Sequence, residues 1–352
     1  MPNRRREPWL RGCAAFAAAA AVGATGCSSP GATLERSPEV VVTALDAPLH
    51  DPVWSYRRHT LVGLTDDHRV AEVANPARPD AVRTRVSAPM HAGRNLQISQ
   101  KDDATVFVPQ PQHGTVAVVD LASLAVLEEF DAGPAPAYLS EDAGQRVLLA
   151  LAADGSSVTP VDQYGWKKLP TATIDGAPAE FVDGANRGRA IDYHLYGPAG
   201  IHYFKGPSSP PEERGSLAMD VVAAAGDGTK VTRSYVAARD QGVLYAVDSG
   251  RGGEGLEVVG TARLPSTPIR YLGTDDTRVY AATDHDVVVF EAASVTGYRQ
   301  HTIPIISVID YRSGLPSGAK SAPLSGIAIG PHRVYLTLAG QPHLVSVTKP
   351  RL

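Results

Sequence analysis

The sequence predicts an all-β protein, a seven-bladed β-propeller closed by an N-terminal strand. Three observations point there. Past residue 39 the apolar residues alternate with period two in short runs and show almost no helical periodicity. Turn-forming residues separate those runs at the spacing of about 8–12 residues typical of all-β folds. Proline-bearing loops then recur at intervals of about 40–50 residues, the length of one four-stranded blade. A two-domain β-sandwich is the competing architecture, and no linker-like break divides the body to favour it.

Composition narrows the function classes. The 352 residues include 33 basic and 37 acidic side chains, for a formal charge of −4, with 43% apolar and 20% charged residues. That is the profile of a folded chain rather than a disordered one. No block of five like charges occurs, and the balance is slightly acidic. Binding to nucleic acid by neutralising phosphates is therefore not expected.

Residues 1–26 read as an address. Arg4, Arg5, Arg6 and Arg11 form a basic start, and Cys13–Ala24 is a run of small apolar residues too short to span a bilayer. Ala24-Thr25-Gly26-Cys27 follows and resembles the lipobox of bacterial lipoproteins, with Ala24 where the motif usually has leucine. The resemblance implies cleavage before Cys27, acylation of that residue, and an extracytoplasmic protein attached to a lipid membrane. The alternative is a plain secretory signal cut near Ala24. Cys13 and Cys27 are the two cysteines of the chain, so residues 28–352 have no thiol for redox, metal or nucleophilic chemistry. Loss of residues 1–26 removes four Arg and one Glu and leaves a charge of −7. Residues 27–38 read as a flexible tether and 39–352 as the propeller.

The strands come next. Val40–Leu45, Thr60–Thr65, Thr105–Gln110, Thr115–Asp120, Arg146–Ala152, Ser234–Ala238, Val243–Asp248, Val287–Phe290 and Val334–Leu338 are predicted, with turns at Asp66-Asp67, Asp102-Asp103, Asp154-Gly155, Asp275-Asp276 and Asp284-His285-Asp286. Residues 105–151 carry Val106-Phe107-Val108, a polar turn, Thr115–Asp120, Val126–Asp131 and Gly133-Pro134. This order resembles the YVTN-type propeller repeat, with Pro109-Gln110 where the family's tetrad ends in Asn. The resemblance is strong over one repeat and implies a fold, not an activity. Pro52, Pro89, Pro136, Pro178, Pro268 and Pro323, with Leu217–Asp220 filling the fifth place, mark seven innermost strands. Val40–Leu45 is then free to pair with the last blade and close the ring.

Loops that lead into innermost strands surround one mouth of a propeller's channel. That rule nominates Trp54, Tyr56 and Arg57, then Arg94, Asn95, Tyr138, Glu180, Asp220, Arg270, Tyr271 and Ser325. Arg94 and Arg270, with the tyrosines, suit an anionic small ligand or an acidic loop of a protein partner, because Arg offers a planar fork of donors. The structural alternative has the two arginines neutralised by Glu180 and Asp220. Residues 189–216 depart from the repeat, with His194, His202 and four aromatic side chains around Gly197-Pro198-Ala199-Gly200. A three-residue turn there would put Asp192, His194 and His202 on one side as a metal site. A two- or four-residue turn would separate the histidines and leave an aromatic hairpin over the propeller face, with Lys205–Ser216 as a mobile loop.

No C-x-x-C-H, G-x-S-x-G, P-loop or EF-hand pattern is present. The glycine-rich stretch 250–255 lies between strands and reads as a hairpin loop. The expected function is a monomeric, cofactor-free binding module without catalysis. The alternatives are a lactonase-like hydrolase using Asn95, Glu180 and Asp220, or a metal-binding accessory protein.

Overall fold

The computed structural model describes residues 40–351 apart from 175, 177, 185–189, 207–210, 231, 250–254 and 265–267. Cys27 and the tether lie outside the described residues, as do most of the glycine-rich loop at 250–255 and residues 207–210.

Seven antiparallel sheets follow one another along the chain, each built from consecutive strands. Their innermost strands are Leu49–Ser55, Gln97–Ile98, Pro136–Asp142, Phe181–Gly184, Val221–Gly226, Ile269–Thr274 and Leu324–Ile329. The innermost strand of blade 7 packs against that of blade 1, so the blades form a ring, a β-propeller. Six sheets have four strands, and the third has a short extra strand, Ala172–Thr173. The strand Val40–Ala44 pairs along the outer side of Gln341–Thr348 in blade 7, from Val40 opposite Val347 to Ala44 opposite His343.

Packing explains why seven short sheets hold together. The buried apolar residues fall into seven clusters, and each joins one blade to its neighbour. Val106 and Val108 of blade 2 pack on Val62 and Leu64 of blade 1. Leu61 and Trp54 of blade 1 meet Tyr335 and Leu344 of blade 7, where the Trp54 and Tyr335 rings stack at 5.1 Å. A middle strand is covered on both faces, so Thr60–Thr65 and Val147–Ala152 are buried throughout. No single core fills the centre. The centre is left to the channel.

Five innermost strands begin with a break in register, at His50/Val53, Pro136/Tyr138, Val221/Ala223, Ile269/Tyr271 and Leu324/Gly326. A bulge of this kind bends the strand and re-aims the side chain at the extra position. At the junction of blades 7 and 1 the bulged segments meet closely. A Cβ on Gly326 would fall 2.2 Å from Pro52 Cδ, which only glycine avoids.

The aromatic segment is not an insert over the face, as expected from sequence, but the middle of blade 4. Ile191–Gly197 and Gly200–Gly206 are its second and third strands, joined by the two-residue turn Pro198-Ala199. Leu195 faces His202, so His194 and His202 lie on opposite sides of the sheet and the three-residue register is excluded. His194 is buried and stacked on Tyr203, and burial pushes its pKa down to about 4. His202 instead bonds Glu213 at 2.8 Å. Glu212–Leu217 is the outermost strand, paired with Gly200–Gly206, so the expected mobile loop at Lys205–Ser216 is corrected over those residues.

Candidate functional site

The innermost strands surround an open cavity of about 1050 Å³. Arg94, Asn95, Tyr138, Glu180, Arg270 and Tyr271 all line it, contributed by blades 2, 3, 4 and 6. Local causes differ. Arg270 occupies the extra position of the bulge at Ile269/Tyr271, which turns it out of the ladder. Arg94 precedes the short strand Gln97–Ile98, and its backbone N–H donates to the Ala137 carbonyl at 2.7 Å, tying the loop to blade 3.

Other nominated residues lie elsewhere. Trp54 lies near the end of the first innermost strand, and Tyr56 and Arg57 follow that strand rather than preceding its start. Trp54 is buried against Tyr335, Tyr56 donates to the Ile329 carbonyl, and Arg57 bonds Asp103. Ser325 is absorbed by hydrogen bonds to the Leu49 carbonyl and Thr337. Asp220 pairs with Arg239 at 3.1 Å, and the same guanidinium lies 3.8 Å from Glu180. Arg239, just past the strand Ser234–Ala238, was not foreseen from sequence.

The two arginines are not neutralised by Glu180 and Asp220. Arg270 makes a forked contact to Asp284, 2.9 Å at its closest, from the turn between the second and third strands of its own blade. Arg94 has no hydrogen bond or ion pair from its guanidinium among the described residues. It lies 5.6 Å from the centre of the Tyr138 ring, in the field of Glu180 and Asp51, and partial desolvation lowers its pKa below the ordinary value. Burial raises the Tyr138 hydroxyl well above the usual tyrosine range, so it stays protonated. Tyr271 is pushed up to about 12 by the same cause.

Asn95 serves the fold. Its amide donates to the Leu139 carbonyl and accepts from the Leu139 N–H, both at 2.8 Å, and so pins blade 2 to blade 3. With Asn95 so engaged and Glu180 and Asp220 both facing Arg239, the residue set considered for a lactonase-like hydrolase is not assembled.

Among the described residues, three further carboxylates line the cavity: Asp51, Asp183 and Asp284. Asp51 sits in the bulge of blade 1 and bonds His50 Nδ1 at 2.9 Å. Asp183 projects from the innermost strand of blade 4, takes hydrogen bonds from Ser140 and the Gly226 backbone, and has its pKa pushed up to about 6 by burial. Only the turn signal at Asp284 was visible in the sequence, and turn chemistry gives no hint of an ion pair.

No family model and no curated protein matches the chain. Solved structures do, at low identity. A chain of the crystal structure of the mitotic checkpoint complex aligns with a TM-score of 0.67 and 13% identity, over 96% of this chain and 99% of that one. The structure of U3-55K aligns with a TM-score of 0.63 and 10% identity, over 88% and 98%. A chain of Kuenenia stuttgartiensis hydrazine synthase aligns with a TM-score of 0.62 and 13% identity, over 87% and 97%. At such identities the likeness is one of fold alone, and the fold is a seven-bladed β-propeller.

Proposed function

We propose that this protein is a non-catalytic binding module, anchored outside the cytoplasm through an acylated Cys27, that holds the anionic group of a small ligand or partner loop at the channel mouth. One observation carries the binding reading. Arg94 stands at the rim of an open cavity with its guanidinium unpaired among the described residues, beside the flat face of Tyr138. A partly desolvated guanidinium gains more from a carboxylate than one in open water, because the local dielectric is lower. The YVTN-like residues 105–151 and the lipobox-like Ala24–Cys27 support a surface-attached propeller of this kind.

Caproate, a monocarboxylate with an apolar stem, is a suitable probe for the soluble chain beginning at residue 28. Amide chemical shifts should move at Arg94, Tyr138, Glu180 and Tyr271 on titration. Shifts scattered over the outer strands, with none at the mouth, would sink the proposal.

A further inference from the structure

Among the described residues, six charged side chains line the cavity: Asp51, Arg94, Glu180, Asp183, Arg270 and Asp284. Four have charge partners already. Arg270 is paired with Asp284, Asp51 with His50, and Glu180 with Arg239. The two without an ion pair among the described residues are one cation, Arg94, and one anion, Asp183. From this asymmetry we infer that the site takes a dipolar ligand, an amino carboxylate with an apolar stem, whose carboxylate meets Arg94 and whose ammonium meets Asp183. The inference rests on the binding role of Arg94 proposed above and names the ligand class for that site.

Backbone register sets the depth of the two poles. The Arg94 N–H bonds the Ala137 carbonyl, which places Arg94 level with the start of the blade 3 strand. Ser140 Oγ accepts from the Gly184 N–H at 2.9 Å, which places Asp183 level with Ser140, further into the channel. Two to three residues of strand separate these levels, about 7–10 Å at ~3.3 Å per residue. The Asp183 carboxylate is a prepared acceptor. Ser140 and Gly226 occupy part of its capacity, a carboxylate has about four lone-pair sites, and the rest remain for a donor. Its position is allowed only because residue 226 is glycine, since a Cβ there would lie 2.5 Å from Asp183 Oδ2. Between the poles, Tyr138, Phe181, Leu139, Tyr271 and Leu272 supply apolar wall for the stem.

The test compares ε-aminocaproate, whose extended chain has a matching reach, with caproate and hexylamine by calorimetry on the soluble chain. ε-Aminocaproate should bind at least tenfold tighter than caproate, and γ-aminobutyrate, too short to reach both poles, should lose that advantage. Asp183→Asn should abolish the amino group's advantage without weakening caproate, since it removes an anion from the cavity, whereas Arg94→Ala should weaken both. If caproate binding depends on Arg94 but the amino group adds nothing, the dipolar inference fails and the binding reading stands. If caproate binding is indifferent to Arg94→Ala, the binding reading itself fails. A wild-type protein that binds none of the probes overturns both.

Discussion

Carboxylates in this ring are tuned in opposite directions by neighbours a few ångströms away. Burial opposes the charge of Glu72, yet hydrogen bonds from Arg58, Arg85 and Thr60 hold its pKa below the ordinary carboxylate value. Asp142 is fully buried, repelled by Asp192, and only partly compensated by backbone donors from Gln145 and Asp192, so its pKa rises to about 7. Asp183 shifts the same way, to about 6. A carboxyl whose folded pKa exceeds its unfolded value of about 4 binds more protons in the folded state, so stability falls as pH rises through that window. Stability should therefore be greatest near pH 4–5, below which groups such as Glu72 protonate, and fall by about a few kcal/mol as pH rises from there through about 7. Thermal melts of the wild type across that range check the sign. The Asp142→Asn variant should show a flatter profile, and a wild type that gains stability from pH 5 to 8 would contradict the assignment.

At the scale of elements, the strand Val40–Ala44 is held from two sides. It pairs with Gln341–Thr348 of blade 7, and Thr43 Oγ1 donates to the Pro76 carbonyl at the edge of blade 1. Deleting residues 1–45 should cost several kcal/mol, at about 0.5–1.5 for each ladder hydrogen bond plus lost apolar contact. Urea unfolding of the truncated and intact soluble chains measures this, and equal midpoints would show that the strand does not help close the ring.

Legibility in sequence also varies by element. Thr60–Thr65, Thr105–Gln110, Thr115–Asp120 and Ser234–Ala238 were readable to the residue, because polar or small residues flank apolar runs that both neighbouring blades bury. Blade 4 was not. Ile191–Gly197 is buried at every position and shows no alternation, and Glu212–Leu217 is an outermost strand whose mostly exposed polar residues look like a loop. Six mouth residues followed from the proline loops, but not their partners. Asp284 and Arg239 come from loops between other strands, and Asp183 lies deeper on its own strand than the loop rule reaches.

For the whole molecule, the proposed attachment and the proposed binding can be tested separately. Cys27→Ala should move the protein from the membrane fraction to the soluble one without altering the fold, since Cys27 precedes the first strand of the ring. Unchanged fractionation of that variant would remove the lipid anchor from the account. At the mouth, Arg94 and Arg270 stand on blades 2 and 6 of the seven and so face each other across the ring. A charge-assisted hydrogen bond is worth about 1.5–3 kcal/mol, or roughly tenfold to a hundredfold in affinity. The most direct measurement is caproate affinity and melting temperature for the double variant Arg94→Ala, Arg270→Ala. Binding should fall at least tenfold while the melting temperature holds. A melting temperature that drops, with binding reduced only in proportion to the folded fraction, would make the two arginines fastenings of the ring and not a site.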